Sequence, residues 1–448
     1  MNHRGTRVLR LDALARVEGE AALYLRVEGD TVAETRLRIY EPPRFFEAFL
    51  TGRGHTEPPD ITARICGICP VAYQMSACRA IEDACGVTVG GSLAELRRLL
   101  YCGEWIESHT LHIYLLHAPD FLGRPDVVAL ARHQRSAVER GLRIKQTGNA
   151  ILEQLGGRPI HPVNVRVGGF YRTPEREELR PLAERLRQAR EDAVETVRWV
   201  AAFDFPDAVC DHDLFALSDP GCYAIDSGTP AVMAARRQSP MLHEFPLAEF
   251  EQHVEEAQVP HSTARTTTLD GRRYLTGPLA RYAINGRWLH PVAAEVARDA
   301  GLGDPLTGAV CDNPFRSIVV RAVEVVQAIE EALRIIGGYE QPPRPVVEVT
   351  PRQAVGTGAT EAPRGLLYHR YALSEDGTLT GARIIPPTAQ NQTAIEEDVR
   401  KTVQARLETA GPAADDEELT HLCERAIRNH DPCISCAAHF LDMTVQRT

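Results

Sequence analysis

The sequence DPCISCAAH, which runs from Asp431 to His439, places two cysteines and a histidine near the end of a chain of 448 residues. Cys433 and Cys436 have a spacing that lets two thiols bind one metal ion. The ends of a chain fray unless other parts of the fold hold them, and a frayed segment cannot keep a metal geometry. Either these thiols belong to a solvated tail, or a distant part of the sequence pins this segment.

A second thiol pair lies in RICGIC (64–69), where Cys66 and Cys69 have the same spacing. Almost the whole chain separates the two pairs, whereas the pairs of a common zinc ribbon lie about 15–20 residues apart. The fold itself would have to join them. Spacing alone leaves three interpretations open: a structural zinc, a redox-active metal, or unconnected thiols. Arg64 and Asp431, each two residues before a pair, would add charges around the thiolates that a structural zinc does not need.

The composition limits the class of protein. A net charge of −11 argues against nucleic acid or anionic lipid as a partner, because either would usually require a basic surface. Eleven cysteines, an odd number in a chain of this length, argue against a secreted disulfide framework. The sequence has no apolar run as long as a membrane span and no signal-peptide core, so we expect a cytoplasmic protein without a membrane span.

We predict a single domain over residues 1–448, of the α+β class and predominantly α. Its predicted parts are, in order, a small β-sheet region, a helical body with irregular excursions, a β-hairpin region, and a C-terminal helix with the metal-binding end: 1–42, 43–345, 346–392 and 393–448. The expected architecture has long helices around a buried metal site and small antiparallel sheets at the periphery.

Local patterns place several elements within this scheme. Amphipathic periodicity predicts long helices over 126–155, 176–203 and 313–336. Segments rich in Gly, Pro and Asp are predicted to be irregular, at 206–230 and 255–312.

Helix starts and one hairpin also have local signals. Ser92 with Glu95, and Thr393 with Glu396, have the spacing of a capping box, which predicts a helix start at each. The stretch LLYHRYALSEDGTLTGARII (366–385) holds an Asp-Gly turn between two strand-like runs and predicts a β-hairpin.

The motifs RICGIC and DPCISCAAH resemble the paired signatures RxCGxC and DPCxxCxxH of the nickel-iron hydrogenase large subunit. Further motifs resemble elements of that family in the same order along the chain: RVEGE (16–20), PRFFEAFLTGR (43–53), LHAPD (116–120), GGRPIHPVNVRVGG (156–169) and EAPRGLL (361–367). The resemblance covers essentially the full chain, and so many ordered motifs are not expected by chance. It implies the fold of that family, with long helices around a buried nickel-iron centre.

In the resembled family four thiolates hold nickel, and two of them also bridge to an iron that carries carbon monoxide and cyanide. The resemblance implies that Cys66 and Cys433 are terminal nickel ligands and that Cys69 and Cys436 bridge nickel and iron. Soft thiolates suit both metals. The implied reaction is the reversible heterolytic cleavage of dihydrogen, with a terminal thiolate as the first proton acceptor and Cys436 counted among the catalytic residues.

The resemblance also implies roles for charged residues. Glu18 matches the glutamate of the RxEGH element and would relay the proton outward, although from the residues alone it reads as a solvated turn carboxylate. Arg364, in EAPRG, would project over the open metal position and polarise it, since a guanidinium stays protonated. Asp120 and Asp431 would hold Arg364 by charge-assisted hydrogen bonds.

Glu47 and His439 match the positions that, in that family, bind a structural magnesium or a similar ion. Two positions depart from the family's pattern. Tyr73 stands where a histidine is usual, and a phenol cannot carry the cationic proton of an imidazole. Glu20 also stands where many members have histidine. The residues after His439, FLDMTVQRT, are predicted to be either a cleavable tail or a retained end.

Partner chains are implied as well. The sequence has no further cysteine array for an iron-sulfur cluster and no nucleotide-binding fingerprint, so electrons must leave through another polypeptide. The resemblance implies an iron-sulfur small subunit, a flavin subunit that reduces NADP or, second, NAD, and a maturation protease with nickel-insertion factors. CPVAYQMSA (69–77) resembles the cytoplasmic, pyridine-nucleotide-linked members.

Two alternative functions stay open. One is a non-catalytic electron-transfer or scaffold subunit, related to the quinone-site subunit of respiratory complex I. That relative lacks the four thiols that this chain retains. The other is a structural zinc protein.

Overall fold

The computed structural model of the protein describes residues 6–235, 242–306, 309–410 and 414–438. Helices form most of the regular structure in these ranges, and none of them is both long enough and apolar enough to cross a membrane. The α-helices are, in chain order, α1 (Phe46–Leu50), α2 (Pro58–Thr62), α3 (Pro70–Cys85), α4 (Gly91–Leu111), α5 (Ala118–Phe121), α6 (Val127–His133), α7 (Arg135–Gly156), α8 (Arg180–Ala201), α9 (Phe250–His253), α10 (Pro278–Asn285), α11 (Pro291–Asp299), α12 (Ser317–Gly338), α13 (Pro387–Ala410), α14 (Asp416–Arg428) and α15 (Ile434–Ala437).

The strands form small sheets, as predicted. They are β1 (Thr6–Leu11), β2 (Ala21–Glu28), β3 (Thr31–Ile39), β4 (Val165–Arg166), β5 (Gly169–Phe170), β6 (Asp213–Ser218), β7 (Thr229–Met233), β8 (Leu242–Glu244), β9 (Val254–Gln258), β10 (Arg265–Leu269), β11 (Tyr274–Leu275), β12 (Gly303–Asp304), β13 (Ala309–Val310), β14 (Ala354–Ala362), β15 (Gly365–Leu373) and β16 (Leu379–Ile385). The larger sheets have the strand orders β1-β2-β3, β11-β6-β7-β8 and β14-β15-β16. The β11–β6 pair is parallel, whereas the other pairs in these three sheets are antiparallel.

The predicted N-terminal sheet is confirmed as β1, β2 and β3. Alternate side chains of β2, at Leu23, Leu25 and Val27, are buried, because successive side chains of a strand point to opposite faces. The buried face packs in one hydrophobic cluster with α13 and α14, near the other end of the chain. The two ends of the sequence therefore share a core, which holds the segment that carries Cys433.

The predicted long helices are present, with breaks that periodicity does not reveal. The segment 126–155 forms α6 and α7, which are separated at Gln134. The segments 176–203 and 313–336 contain 3₁₀ turns before α8 and α12. Both α4 and α12 are buried on nearly all sides, because they cross the main core and contact each other.

Both predicted capping boxes are wrong. α4 begins before Ser92, so that residue lies inside the helix. α13 begins at Pro387, and Thr393 lies within it, so the C-terminal helix starts earlier than predicted. A proline fits a first helical position because its missing N–H would be unused there. Glu396 instead accepts a hydrogen bond from the backbone N–H of Leu37 at 2.8 Å and ties α13 to β3.

The segments predicted to be irregular contain regular structure. β6 lies in 206–230 and pairs with β7, and α10 and α11 lie in 255–312. All six residues of β6 are buried. A strand that is buried on both faces lacks the alternation of polar and apolar residues by which half-buried strands are recognised.

The predicted hairpin is confirmed as β15 and β16, and its turn contains Gly377 at φ 82°. β14 adds a third strand, which crosses α3 at Gly356 and Gly358. A Cβ atom at Gly356 would lie 2.2 Å from the carbonyl oxygen of Ala80, so only glycine allows this approach. The tip between β14 and β15 carries Arg364.

Candidate metal centre

Four cysteine side chains from distant parts of the sequence meet in the interior. The sulfurs of Cys66 and Cys433 lie 3.5 Å apart, as do those of Cys69 and Cys436. All four sulfurs lie within 4.8 Å of one another, and all four residues are buried. Within the described part of the chain, no other group of three or more His, Cys, Asp or Glu side chains converges in this way. The fold thus joins the two thiol pairs.

The loop before α3 presents the first pair. The N–H groups of Ile68 and Cys69 both lie 3.3 Å from the sulfur of Cys66 and donate to it. Cys69 occupies the position just before α3, and Pro70 opens the helix. Backbone N–H groups and a helix N-terminus both stabilise negative charge, so this loop favours thiolates.

Contacts with N-terminal residues hold the second pair. The N–H of Ile434 donates to the carbonyl oxygen of Glu18 at 3.0 Å. The N–H of Arg44 donates to the carbonyl oxygen of Ala438 at 2.9 Å, and its guanidinium donates to that of Ile65 at 2.6 Å. Backbone hydrogen bonds therefore hold the C-terminal segment against Glu18 and Arg44, and the side chain of Arg44 joins it to Ile65, the residue before Cys66.

The donor set fits a soft metal centre. Hydrogen bonds from the other three thiols, that of Cys433 first, hold the pKa of Cys66 well below its usual range, whereas burial raises the pKa of Cys433. Four thiolates cannot remain charged together in a buried site without a cation to compensate them. A metal ion supplies that charge and displaces the protons. Four sulfur donors suit nickel, iron or zinc.

Glu18 lies against the thiols. Its Oε2 accepts hydrogen bonds from Sγ of Cys433 at 3.0 Å and from the N–H of Ser435 at 3.1 Å. The hydroxyl of Ser435 donates to Oε2 of Glu41 at 3.1 Å, and the same oxygen accepts from the N–H of Glu20 at 3.4 Å. Glu18 is therefore not a solvated turn carboxylate, and a chain of polar groups links Cys433 to the partly exposed carboxylate of Glu41.

Arg364 is buried at the tip between β14 and β15. Its Nε donates to the carbonyl oxygen of Asp431 at 2.8 Å, and its Nη2 donates to Oδ1 of Asp431 at 3.2 Å. Burial alone would lower the pKa of Arg364, but the charges of Asp431 and then of the thiolates raise it. Its Nη1 has no hydrogen-bond partner among the residues that the structure describes. This unpaired donor near the thiols is suited to a bound group.

Asp120 does not hold Arg364, so that prediction is wrong. Its carboxylate accepts hydrogen bonds from Nε and Nη2 of Arg428 at 2.7 and 2.9 Å and also pairs with Arg16. Both carboxylate oxygens are thereby used by other guanidinium groups. Asp120 fixes the segment that leads to Glu18 and joins it to the end of α14.

Arg281 fixes the backbone just before Arg364. It is fully buried in α10, and its guanidinium donates to the carbonyl oxygens of Ala362 and Pro363, each at 2.9 Å. Glu324 accepts two hydrogen bonds from the same guanidinium at 2.7 and 2.8 Å. No local sequence signal marks Arg281, because all these partners come from distant segments.

Tyr73, which replaces the usual histidine, is buried near the thiols. Burial, and then the charge of Cys436, raises the pKa of its phenol well above the usual range. Its ring packs against that of His369 with the ring centroids 5.7 Å apart. Arg64 is exposed, so the prediction that it supplies a cation beside the thiolates is wrong; Arg364 occupies that place.

Glu47 lies in α1, where its Oε1 accepts a hydrogen bond from the N–H of Ile384 at 2.8 Å. Burial raises the pKa of this carboxyl, and the charges of Arg383 and Arg265 oppose this. His439 and the tail FLDMTVQRT lie outside the described residues. Ala438, the last residue described, is bonded to Arg44 near α1. The magnesium site at Glu47 and His439 stays a prediction.

A family model, sequence relatives and a solved structure all match this chain. A family model described as nickel-dependent hydrogenase matches residues 44–140 and 317–439. The chain is 33% identical over 444 residues to sulfhydrogenase 2 subunit alpha of Pyrococcus furiosus, with 97% of this chain and 100% of the relative covered. It is 26% identical to NAD-reducing hydrogenase HoxS subunit beta of Cupriavidus necator, with 97% and 95% covered. A crystal structure of an NAD+-reducing NiFe hydrogenase in the H2-reduced state aligns with a TM-score of 0.87 and 28% identity over 97% of this chain and 99% of that chain.

Proposed function

This chain belongs to the nickel-dependent hydrogenase family as a large subunit, and from that premise we propose that its four buried thiols hold a nickel-iron centre. One observation carries the proposal: the four sulfurs converge within 4.8 Å of one another, near a buried guanidinium whose Nη1 is unpaired in the described part of the chain. A structural zinc closed by four thiolates would leave that donor without a role.

In this proposal Cys66 and Cys433 would hold nickel, while Cys69 and Cys436 would hold both nickel and iron. The iron would also carry carbon monoxide and cyanide. When bound, this centre supplies the reversible heterolytic cleavage of dihydrogen. The 3.5 Å separations support the assignment. The sulfurs of Cys66 and Cys433 are neighbours, and so are those of Cys69 and Cys436, with one member of each pair from each motif.

Glu18 moves the proton between the thiols and the outside. Its Oε2 lies 3.0 Å from Sγ of Cys433, which is within reach for direct proton transfer. Ser435 is hydrogen-bonded to the carboxylates of both Glu18 and Glu41, so it lies between these two partly exposed carboxylates. The same groups serve both directions of a reversible reaction.

Arg364 supplies a fixed positive charge beside the centre. Asp431 orients its guanidinium through two hydrogen bonds, and the buried position keeps water from screening the charge. A charge that is already in place costs no reorganisation during the reaction.

Electrons leave through partner subunits: an iron-sulfur small subunit and a flavin subunit that reduces NADP or NAD. The similarity to NAD-reducing hydrogenase HoxS supports this acceptor. A sulfur acceptor is the second candidate, because the identity to sulfhydrogenase 2 subunit alpha is higher. The proposal also includes magnesium at Glu47 and His439, and assembly by a maturation protease with nickel-insertion factors.

The test uses the chain isolated together with its partners. We expect nickel and iron in nearly equal amounts, infrared bands of metal-bound carbon monoxide and cyanide, and dihydrogen-dependent reduction of a dye and of NADP or NAD. Stoichiometric zinc without nickel would refute the proposal. A complex that transfers electrons but lacks nickel would favour the non-catalytic subunit.

A matched pair of variants sharpens this test. Cys433→Ser is expected to lose nickel, because a hydroxyl is a poor ligand for a soft metal. Cys423→Ser is the control, since Cys423 is also a buried thiol but lies in α14, outside the cluster. Loss of nickel in both variants would mean that the loss reports misfolding and not ligation.

A further inference from the structure

A buried cluster of two histidines and an aspartate lies next to the candidate metal centre. Asp398, in α13, accepts hydrogen bonds from Nε2 of His212 at 2.8 Å on one oxygen and from Nε2 of His430 at 3.0 Å on the other. None of the three residues is more than 6% exposed. His430 directly precedes Asp431, the residue that binds Arg364. The mechanism proposed above uses none of the three.

A small cavity lies on the inner side of this cluster. Its volume is about 10 Å³, and its lining includes His430, Arg321, Asn429 and Ser317. This is roughly the space that one water molecule needs. Nε of Arg321 and both amide atoms of Asn429 are buried and have no hydrogen-bond partner in the described part of the chain, so they are suited to bind that water. Burial lowers the pKa of Arg321 to about 10, and the charge of Asp431 opposes this.

A larger cavity lies on the outer side of the cluster. Asp398 and Lys401 both line it, its volume is about 460 Å³, and it opens to the surface at Val209, which is 60% exposed. Lys401 pairs with Asp211, whose side chain is 55% exposed and which is the neighbour of His212. The hydrogen-bonded pair of His430 and Asp398 therefore lies between the inner cavity and an open groove, and Asp398 and Lys401 are among the charged residues of that groove.

We infer that His430 and Asp398 form a second proton route, which runs between the inner cavity that His430 lines and the open groove that Asp398 lines. The inference rests on the proposed function, because it needs a site that produces or consumes protons. A cluster that only tied α13 to the C-terminal segment would need neither a cavity bordered by unpaired polar groups on one side nor an open groove on the other.

The transfer is a relay of protons without electron movement. A proton that reaches the inner cavity as hydronium passes to Nδ1 of His430 and leaves a water molecule behind. His430 then releases the proton of Nε2 to Asp398, which passes it to water in the groove and returns to the carboxylate. Return of the imidazole to its first tautomer resets the relay. Burial alone would raise the pKa of Asp398, but hydrogen bonds from the two imidazoles lower it. A carboxylate of low pKa holds a proton only briefly, so this route is slower than the route through Glu18.

The test first blocks the faster route through Glu18 and then measures the proton exchange that remains. In the assembled complex, Glu18→Gln leaves a residual exchange of D2 with water, measured as HD formation. Adding His430→Gln or Asp398→Asn is expected to lower that residual rate at least about tenfold, because neither new amide titrates. The matched control adds His261→Gln, since His261 pairs with Glu396 of the same helix at 3.0 Å but borders neither cavity.

A second variant separates proton transfer from structure. Adding imidazole is expected to restore exchange in the Glu18→Gln complex that also carries His430→Ala, because free imidazole can replace the missing ring. Nickel and iron contents are expected to stay unchanged in all these complexes. Loss of nickel in the His430 and Asp398 variants, or a residual exchange rate that none of them lowers, would overturn the inference.

The inference also predicts a bound water, which can be observed without any measurement of activity. A crystal structure of the complex is expected to show an ordered water bonded to Arg321 and Asn429 and within hydrogen-bond distance of His430. A dry cavity would overturn the inference. A different result would refute the proposed function itself: a complex without substitutions that contains no nickel or does not react with dihydrogen.

Discussion

The two sides of the thiol cluster differ in their exposure and in the kind of charge they carry. On the first, here called the Glu18 side (Glu18, Ser435 and Glu41), all three residues are partly exposed. On the second, here called the Arg364 side (Arg364 and Asp431), both residues are buried. A partly exposed carboxyl can exchange protons with water, whereas a buried pair of opposite charges keeps its charge states.

This difference in exposure and charge indicates that the two sides have different roles. In the proposed function, the Glu18 side moves protons, and the Arg364 side provides a fixed charge. Buried partners extend the second side, since Arg281 holds the backbone before Arg364 and is itself paired with Glu324. Each prediction below either removes one of these properties or measures the difference between the two sides.

The largest effect is expected for Glu18→Gln. Removing a positioned general acid or base typically costs about 10²–10⁴-fold, so the exchange of D2 with water should fall by that factor. The amide can still accept the hydrogen bond from the N–H of Ser435, so the nickel and iron contents and the infrared bands should stay unchanged. Glu20→Gln is the matched control, because that carboxylate is exposed two residues away. Exchange as fast as in the unaltered complex would show that Glu18 moves no protons.

Arg364→Lys tests the fixed charge of the other side. Lysine keeps the charge but loses the planar group that binds Asp431 at two points. We expect dihydrogen-dependent dye reduction to fall about 10²–10³-fold, as for the loss of one electrostatic contact in an active site. The pH profile should keep its shape, in contrast to that of Glu18→Gln. Arg370→Lys, in the strand β15 that follows Arg364, has a 43% exposed side chain and should change little; an equal loss in both variants would contradict the prediction.

Arg281→Met tests how much a buried charge next to the backbone of Arg364 contributes to the free energy of unfolding. Removing one partner of a buried pair typically costs about 3–5 kcal/mol, because the other charge is left uncompensated. We expect that loss in the free energy of unfolding, measured with urea on the assembled complex. Arg143→Met is the control: Arg143 binds Asp192 through two hydrogen bonds of 2.9 Å, but its side chain is 57% exposed. Exposed pairs contribute about 1 kcal/mol or less, so equal losses would refute the distinction.

The smallest effect concerns pH. Burial raises the pKa of Glu361, a partner of Arg281, to about 7. A carboxyl whose pKa is raised in the folded state favours folding at pH values below the unfolded pKa of about 4.3, and this contribution is lost as the pH rises through 7. Glu361→Gln should therefore flatten the decline of the melting temperature between pH 5 and 8 by roughly a few degrees. Glu375→Gln, at an exposed turn residue, should leave the decline unchanged.

Much of the metal centre could be predicted from sequence. Cys66, Cys69, Cys433 and Cys436 lie in short motifs, and a motif keeps its chemistry wherever the fold places it. The N-terminal sheet and the hairpin were also predictable, because half-buried strands alternate polar and apolar residues. β6 was not, since a strand buried on both faces has no such alternation. The start of α13 was missed because Thr393 with Glu396 imitates a cap inside a helix that begins at Pro387.

Which carboxylate pairs with which guanidinium group was the least predictable feature of the site. Asp120 was expected to hold Arg364, but it binds Arg16 and Arg428. Any buried carboxylate attracts a guanidinium, and the sequence contains many of both, so only packing decides which ones meet. The same reason explains why Arg281 has no sequence signal.

By itself, the sequence determined the donor atoms of the site: four thiols, and Glu18 and Arg364 by resemblance to a known family. The tertiary structure alone decided that the thiols converge within 4.8 Å and that Glu18 reaches the sulfur of Cys433 at 3.0 Å. It also decided which charges are buried and which can exchange with water. The physical reason is that side-chain chemistry is local, whereas distance and burial arise from packing between segments that lie hundreds of residues apart.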